Sequence, residues 1–189
     1  MKTFQTILNI GLVSGLLFSC NPNPTESTES EMMDDQTAEM KADDRPSPVV
    51  IAKGKISEKD IKVHYGSPAV KGRALWGDLV PYNIVWRTGA NEATFVDLSA
   101  DFIVDGRSLP AGKYSIFTIP KESGPWIVIF NSEWDLEHGH FQYDEKNDVL
   151  RMEVTPTFTE NSEERLSVKV ENPGIVIRWE KLKLPISMN

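Results

Sequence analysis

Beyond residue 48 the chain is written largely in alternation. Ile61, Val63 and Tyr65 are separated by Lys62 and His64. Leu150, Met152 and Val154 are separated by Arg151 and Glu153, and Leu166, Val168 and Val170 by Ser167 and Lys169. Successive side chains of a strand point to opposite faces, so each run predicts a strand with one face buried and the other wet. Trp126–Phe130 is continuously apolar, as is much of Tyr114–Ile119. Such runs predict strands covered on both faces, in the middle of a sheet. Lys121-Glu-Ser-Gly124 between them predicts a hairpin, and Asp105-Gly106 and Pro110-Ala-Gly112 predict further turns. Ile175, Ile177 and Trp179 share one parity, whereas Leu182, Leu184 and Ile186 have the other. A one-residue slip reverses the buried face, so a bulge or bend is predicted near Glu180-Lys181. No segment carries a convincing helical period. Eight to ten strands joined by Gly/Pro turns predict an all-β fold, an antiparallel β-sandwich, with the jelly roll as one form of it.

The first residues read differently. Lys2 is followed by an apolar run from Ile7 to Phe18 and then by Ser19-Cys20. This is the anatomy of a secretory signal peptide over residues 1–19, too short for a comfortable membrane span. Leu17-Phe18-Ser19-Cys20 resembles a bacterial lipobox, although Phe18 is bulkier than usual. Cys20, the only cysteine, would then carry the lipid and anchor the protein to the membrane of the cell envelope. With no second cysteine an intramolecular disulfide is excluded. Residues 20–47 lack any apolar period, and eight carboxylates there face only Lys41 and Arg45, a net of −6 in a chain of net −8. High charge with low hydrophobicity predicts a disordered acidic tether. Since Lys2 adds one positive charge, residues 48–189 carry about −3, and neither part offers the basic face that nucleic acid requires. The remaining 48–189 is the length of one ordinary domain.

Two stretches concentrate chemistry. Gly72–Thr94 packs Trp76, Tyr82 and Trp86 beside Arg87, Asn91 and Glu92. Gly89 can take a positive φ, and a Thr-Gly-Ala-Asn turn brings Arg87 toward Glu92. Arg87 offers a planar fork for a carboxylate, phosphate or pair of sugar hydroxyls, and the aromatics offer flat faces for a ring. The same residues also read as an internal clasp: a buried Arg87–Glu92 ion pair, Asn91 capping the turn, both tryptophans in the core. The second stretch, Asn131–Asn147, is long for a hairpin connection and holds Trp134, His138, His140 and Tyr143. On a strand, His138-Gly-His140 would set both imidazoles on one face, a spacing used by metal sites, though Gly139 disfavours a strand and a third ligand is missing. Two solvated loop histidines are the simpler reading. No G-x-S-x-G elbow, phosphate loop or dinucleotide fingerprint occurs, and Ser67, Ser115 and Ser132 have no base nearby in sequence. Carboxylate pairs such as Glu92 with Asp97 or Asp78 are too common in this composition to mean much.

The runs LVPYNIVWRTGANEAT, LPAGKYSIFTIP, WIVIFN and YDEKNDVLRMEV resemble the bacterial domain of unknown function 2911 family across residues 57–187. Asn83 stands where glycine is common, and His138-Gly-His140 falls in a variable loop. The resemblance implies a secreted or lipid-anchored β-domain of Bacteroidota-type bacteria, and it brings no established activity.

These readings converge on a non-catalytic envelope module without a cofactor. It would bind a small polar ligand, glycan or protein through Tyr82, Trp86, Arg87, Asn91, Glu92, Trp134 and Tyr143. The opposing expectation is an envelope hydrolase or metal-assisted enzyme using Glu92, Arg87 and the loop histidines.

Overall fold

The computed structural model describes residues 44–189. The expected signal peptide, Cys20 and most of the tether lie outside the described residues. Six strands form one antiparallel sheet: β1 (Val49–Ile56), β2 (Lys59–Gly66), β3 (Phe95–Leu98), β6 (Gly112–Ile119), β7 (Trp126–Asn131) and β8 (Asp148–Val154), adjacent in that order. The omitted pair, β4 (Phe102–Val104) and β5 (Arg107–Leu109), makes a small hairpin around Asp105-Gly106. Two long strands, β9 (Thr157–Glu171) and β10 (Gly174–Ser187), pair with each other. A bridge from Met188 to Val104 continues this pair into the β4–β5 hairpin. The result is an all-β sandwich.

Alternation determines what lies between the layers. Val63, Val96, Ile116, Val128 and Phe130 from the large sheet are fully buried, as are Phe102, Val104, Leu184 and Met188 from the other layer. Each such side chain stabilises the fold by about 1.5–3 kcal/mol. The predicted slip in β10 is present. The register with β9 breaks on either side of Glu180, whose φ is 53°. Before it Ile175, Ile177 and Trp179 are buried, and after it Leu182, Leu184 and Ile186 are.

The doubly apolar runs in β6 and β7 are interior strands of the sheet, each paired on both edges as expected, and what covers their second face is informative. Phe117 and Ile129 point away from the main core and pack with Ala93 and Leu136. Tyr143 meets Phe117 edge-on at 4.9 Å. The long 131–147 connection is therefore a cover laid over the outer face of the sheet, and this burial accounts for its length. It contains two short 3-10 helices, Gly139–Gln142 and Glu145–Asn147. His140 thus lies in helical rather than extended backbone, and the strand-like His-x-His arrangement does not form.

Candidate functional site

Residues 67–94, between β2 and β3, bring Trp76 and Trp86 against Trp126 and Trp179. Trp76 lies edge-on to Trp126 at 4.9 Å, to Trp86 at 5.9 Å and to Trp179 at 5.9 Å, while Trp86 stacks on Trp179 at 5.8 Å. Trp86 also joins the sheet, its N–H donating to Thr118 O at 2.7 Å and its carbonyl accepting from Thr118 N at 2.9 Å. Both tryptophans of the 72–94 stretch therefore belong to the packed interior. The chain then reverses. The left-handed residues are Thr88 (φ 56°) and Asn91 (φ 64°) rather than the expected Gly89. Gly89 is required for closeness instead: a Cβ there would lie 2.7 Å from Thr94 Oγ1 and 3.0 Å from Gly66 O.

This turn carries Arg87, and every group holding the guanidinium is neutral. Nε donates to His140 Nδ1 at 3.1 Å, and Nη1 donates to Asn91 O. The Phe141 ring lies 5.5 Å from Cζ. Gly139, with φ +56°, presses bare backbone against the side chain, so a Cβ there would meet Arg87 Cδ at 2.7 Å. Burial lowers the pKa of Arg87, with the Glu92 charge opposing. Burial and the neighbouring guanidinium together lower that of His140, favouring the neutral imidazole that accepts the bond.

The expected Arg87–Glu92 ion pair is absent. Glu92 Oε1 instead accepts from Arg45 at 2.6 Å, an exposed pair. The left-handed turn at Asn91 carries Glu92 into a separate depression lined by Val49, His64, Tyr65 and Phe95. Asn91 does not cap its own turn; its side chain donates to Ser47 O at 3.0 Å. Neighbouring residues of this incoming segment are tied down as well, with Pro46 O accepting from Arg165 and Pro48 O from Ser67.

Trp86, Arg87, Asn91 and His140 share the wall of one open cavity of about 370 Å³ with Arg73, Leu79, Val80 and Trp179. Five of the expected site residues lie elsewhere. Tyr82 packs its ring against Gly77, and Glu92 lines the second depression. Trp134 lies on Phe95 at 5.0 Å with Lys113 Nζ 4.1 Å above it. Tyr143 donates to Asp148 Oδ2 at 2.7 Å, and its burial, aided by that bond, raises its pKa. His138 is exposed. Among the described residues no three His, Cys, Asp or Glu side chains converge. The hydroxyls of Ser67, Ser115 and Ser132 all donate to backbone carbonyls.

A sequence model described as "Protein of unknown function (DUF2911)" matches residues 47–188. The chain belongs to the DUF2911 family. No curated protein and no solved structure matches it. Every residue lining the Arg87 cavity falls inside the DUF2911 match.

Sequence reasoning missed Arg73, Leu79, Val80 and Trp179 in this DUF2911 domain. Arg73 stood inside the suspected stretch; its Nε and Nη2 donate to the Val70 and Ala69 carbonyls, which fixes it at the cavity. Trp179 was legible only as an inward residue of β10. It is 2% exposed, and its indole N–H has no acceptor among the described residues. Chemically the DUF2911 cavity presents two guanidinium groups, one neutral imidazole and two indoles, with no acidic side chain in its wall. Such a set can hold a polar ligand by charge-assisted hydrogen bonds.

Proposed function

We propose that this protein is a lipid-anchored module of the cell envelope that binds a small polar ligand in the Arg87 cavity without transforming it. One observation carries the reading. Arg87 is half-buried, neutral groups hold it in place, and no carboxylate of the described residues pairs with it. Arg87 is only partly desolvated, but even a partly desolvated charge is better stabilised beside a counter-ion than among neutral groups. Here Nη2 donates to no acceptor among the described residues and is left for a ligand. The envelope address rests on Leu17-Phe18-Ser19-Cys20 and the acidic stretch after it.

The test is a thermal-shift screen of the full chain against simple sugars, carboxylic acids and phosphates, repeated with Ala90→Trp to fill the cavity. A melting shift in the native chain that disappears in the variant is expected. No shift from any class, or shifts equal in both proteins, would overturn the reading. Metabolic labelling with an alkyne fatty acid checks the anchor: Cys20→Ser should abolish labelling and release the protein from membranes, and retention of both would refute it.

A further inference from the structure

Resting on the reading of the cavity as a ligand site, we propose that its ligand is an oxyanion, presented as a carboxylate or a phosphate group and held by Arg87. The donors left in the wall make the first part of the case. Arg87 Nε and Nη1 donate to His140 Nδ1 and Asn91 O, and Arg73 Nε and Nη2 donate to Val70 O and Ala69 O. A guanidinium carries five N–H donors, so about three remain on each arginine. His140 adds another. Its Nδ1 accepts from Arg87, which assigns the proton of the neutral ring to Nε2, and Nε2 has no acceptor among the described residues.

The acceptors, by contrast, are largely taken. Gly89 O accepts from Trp86 Nε1 at 3.2 Å, Ser47 O from Asn91 Nδ2 at 3.0 Å, and Asn91 O and His140 Nδ1 from Arg87. Among the side chains of the wall, only Asn91 Oδ1 and the Ser47 hydroxyl remain to accept. A ligand that matches this wall brings many acceptors and few donors. A sugar brings a donor with every hydroxyl, and an amide brings an N–H₂ with its carbonyl. An ionised carboxylate only accepts, and a phosphate group does so almost entirely.

Charge selects the same class. Neither Arg73 nor Arg87 has a carboxylate partner among the described residues, and the wall holds no acidic side chain. The carboxylate whose charge acts on Arg87 is that of Glu92, and its Oε1 already pairs with Arg45 at 2.6 Å. Two uncompensated guanidinium groups therefore line one cavity in a chain whose net charge is −8. Hydrogen bonds from such groups to an anion are about twice as strong as neutral ones. The side chain is also held in advance, with the Gly139 backbone against it and Phe141 beside it, so binding orders little that is not ordered already.

The experiment titrates the full chain by calorimetry, in a zwitterionic buffer of low salt, with acetate, inorganic phosphate, acetamide and methyl glucoside. One of the two anions should bind at least about tenfold more tightly than either neutral compound, since polar groups left unpaired discriminate strongly. Acetate ahead of phosphate identifies a carboxylate ligand and the reverse a phosphorylated one; each supports the proposal. Arg87→Gln should weaken the anion at least about tenfold, the loss of a charge-assisted bond. Should that variant fail to fold, Arg73→Gln, at an exposed position, should also weaken it. Lys53→Gln, exposed on β1, is the control and should change nothing. A neutral compound equalling both anions overturns the proposal, as does an affinity unchanged in a folded arginine variant. A loss with Lys53→Gln as large as with the arginine variant would mean an adventitious ion only. If a neutral compound binds as well as the anions and Ala90→Trp abolishes it, the ligand class is wrong while the cavity remains a site. If none of the four binds, both readings fall.

Discussion

Replacing Gly139 by alanine tests whether Arg87 is held where the cavity needs it. The residue has φ +56°, and an added Cβ would sit 2.7 Å from Arg87 Cδ and 2.8 Å from Nε. The left-handed conformation alone costs a residue with a Cβ about 1 kcal/mol. The clash can be relieved only by moving the Arg87 side chain, which breaks the Nε bond to His140 and the Nη1 bond to Asn91 O. Hydrogen bonds of charged groups contribute about 1.5–3 kcal/mol each when buried. These are half-exposed, so the pair together should contribute about 1–2 kcal/mol. The expected loss is therefore about 2–3 kcal/mol, or a fall in Tm of roughly 6–9 °C for a domain of this size. The decisive assay is a double-mutant cycle by urea denaturation. With Arg87→Ala already present only the approach to Cβ at 3.0 Å remains, so Gly139→Ala should then cost about 1 kcal/mol. Equal losses in both backgrounds would refute the idea that Gly139 exists to seat Arg87.

Acidification should destabilise the domain between about pH 7.5 and 5.5. His140 and His64 both have pKa values below the 6.5 of an unperturbed histidine. The unfolded chain therefore binds more protons in that window, and stability falls as pH falls through it. For His64 burial dominates, with Lys113, Lys62 and Lys53 adding to it and Asp97 opposing. Urea midpoints across the window measure the slope, which His140→Gln should reduce; a midpoint that rises with acid contradicts both placements. Glu92→Gln should lower stability by no more than about 1 kcal/mol, because its pair with Arg45 is exposed. Its Oε2 has no hydrogen-bond partner among the described residues. A Tm loss as large as that of Gly139→Ala would show that Glu92 serves the clasp after all.

Much of the sandwich was readable because strand parity is a local property. The slip at Glu180 follows from six apolar residues within twelve positions, and the hairpin at Lys121–Gly124 from the two runs it joins. The site was readable only in part. Arg87 and Glu92, five residues apart, looked like natural partners, but two left-handed residues between them send the carboxylate elsewhere. The actual partner of Arg87, His140, is 53 residues away, and nothing local to either residue encodes that meeting. Gly139 was visible as a glycine between histidines. Its purpose depends on the side chain pressed against it. Trp134 and Tyr143 looked like ligand surfaces because their loop is long, whereas the loop covers Phe117 and Ile129.

The segment through which the chain reaches β1 has a mechanical consequence. Arg45 is tied to Glu92, Pro46 to Arg165, Ser47 to Asn91 and Pro48 to Ser67. Two of these four fastenings are made to the turn that begins at Arg87, and Ser47 itself borders the cavity. A pull applied upstream of Asp44 would thus load the Asn91–Glu92 corner before it reached the sheet. The shape of the cavity and the tension in the chain that leads to it are borne by the same few bonds.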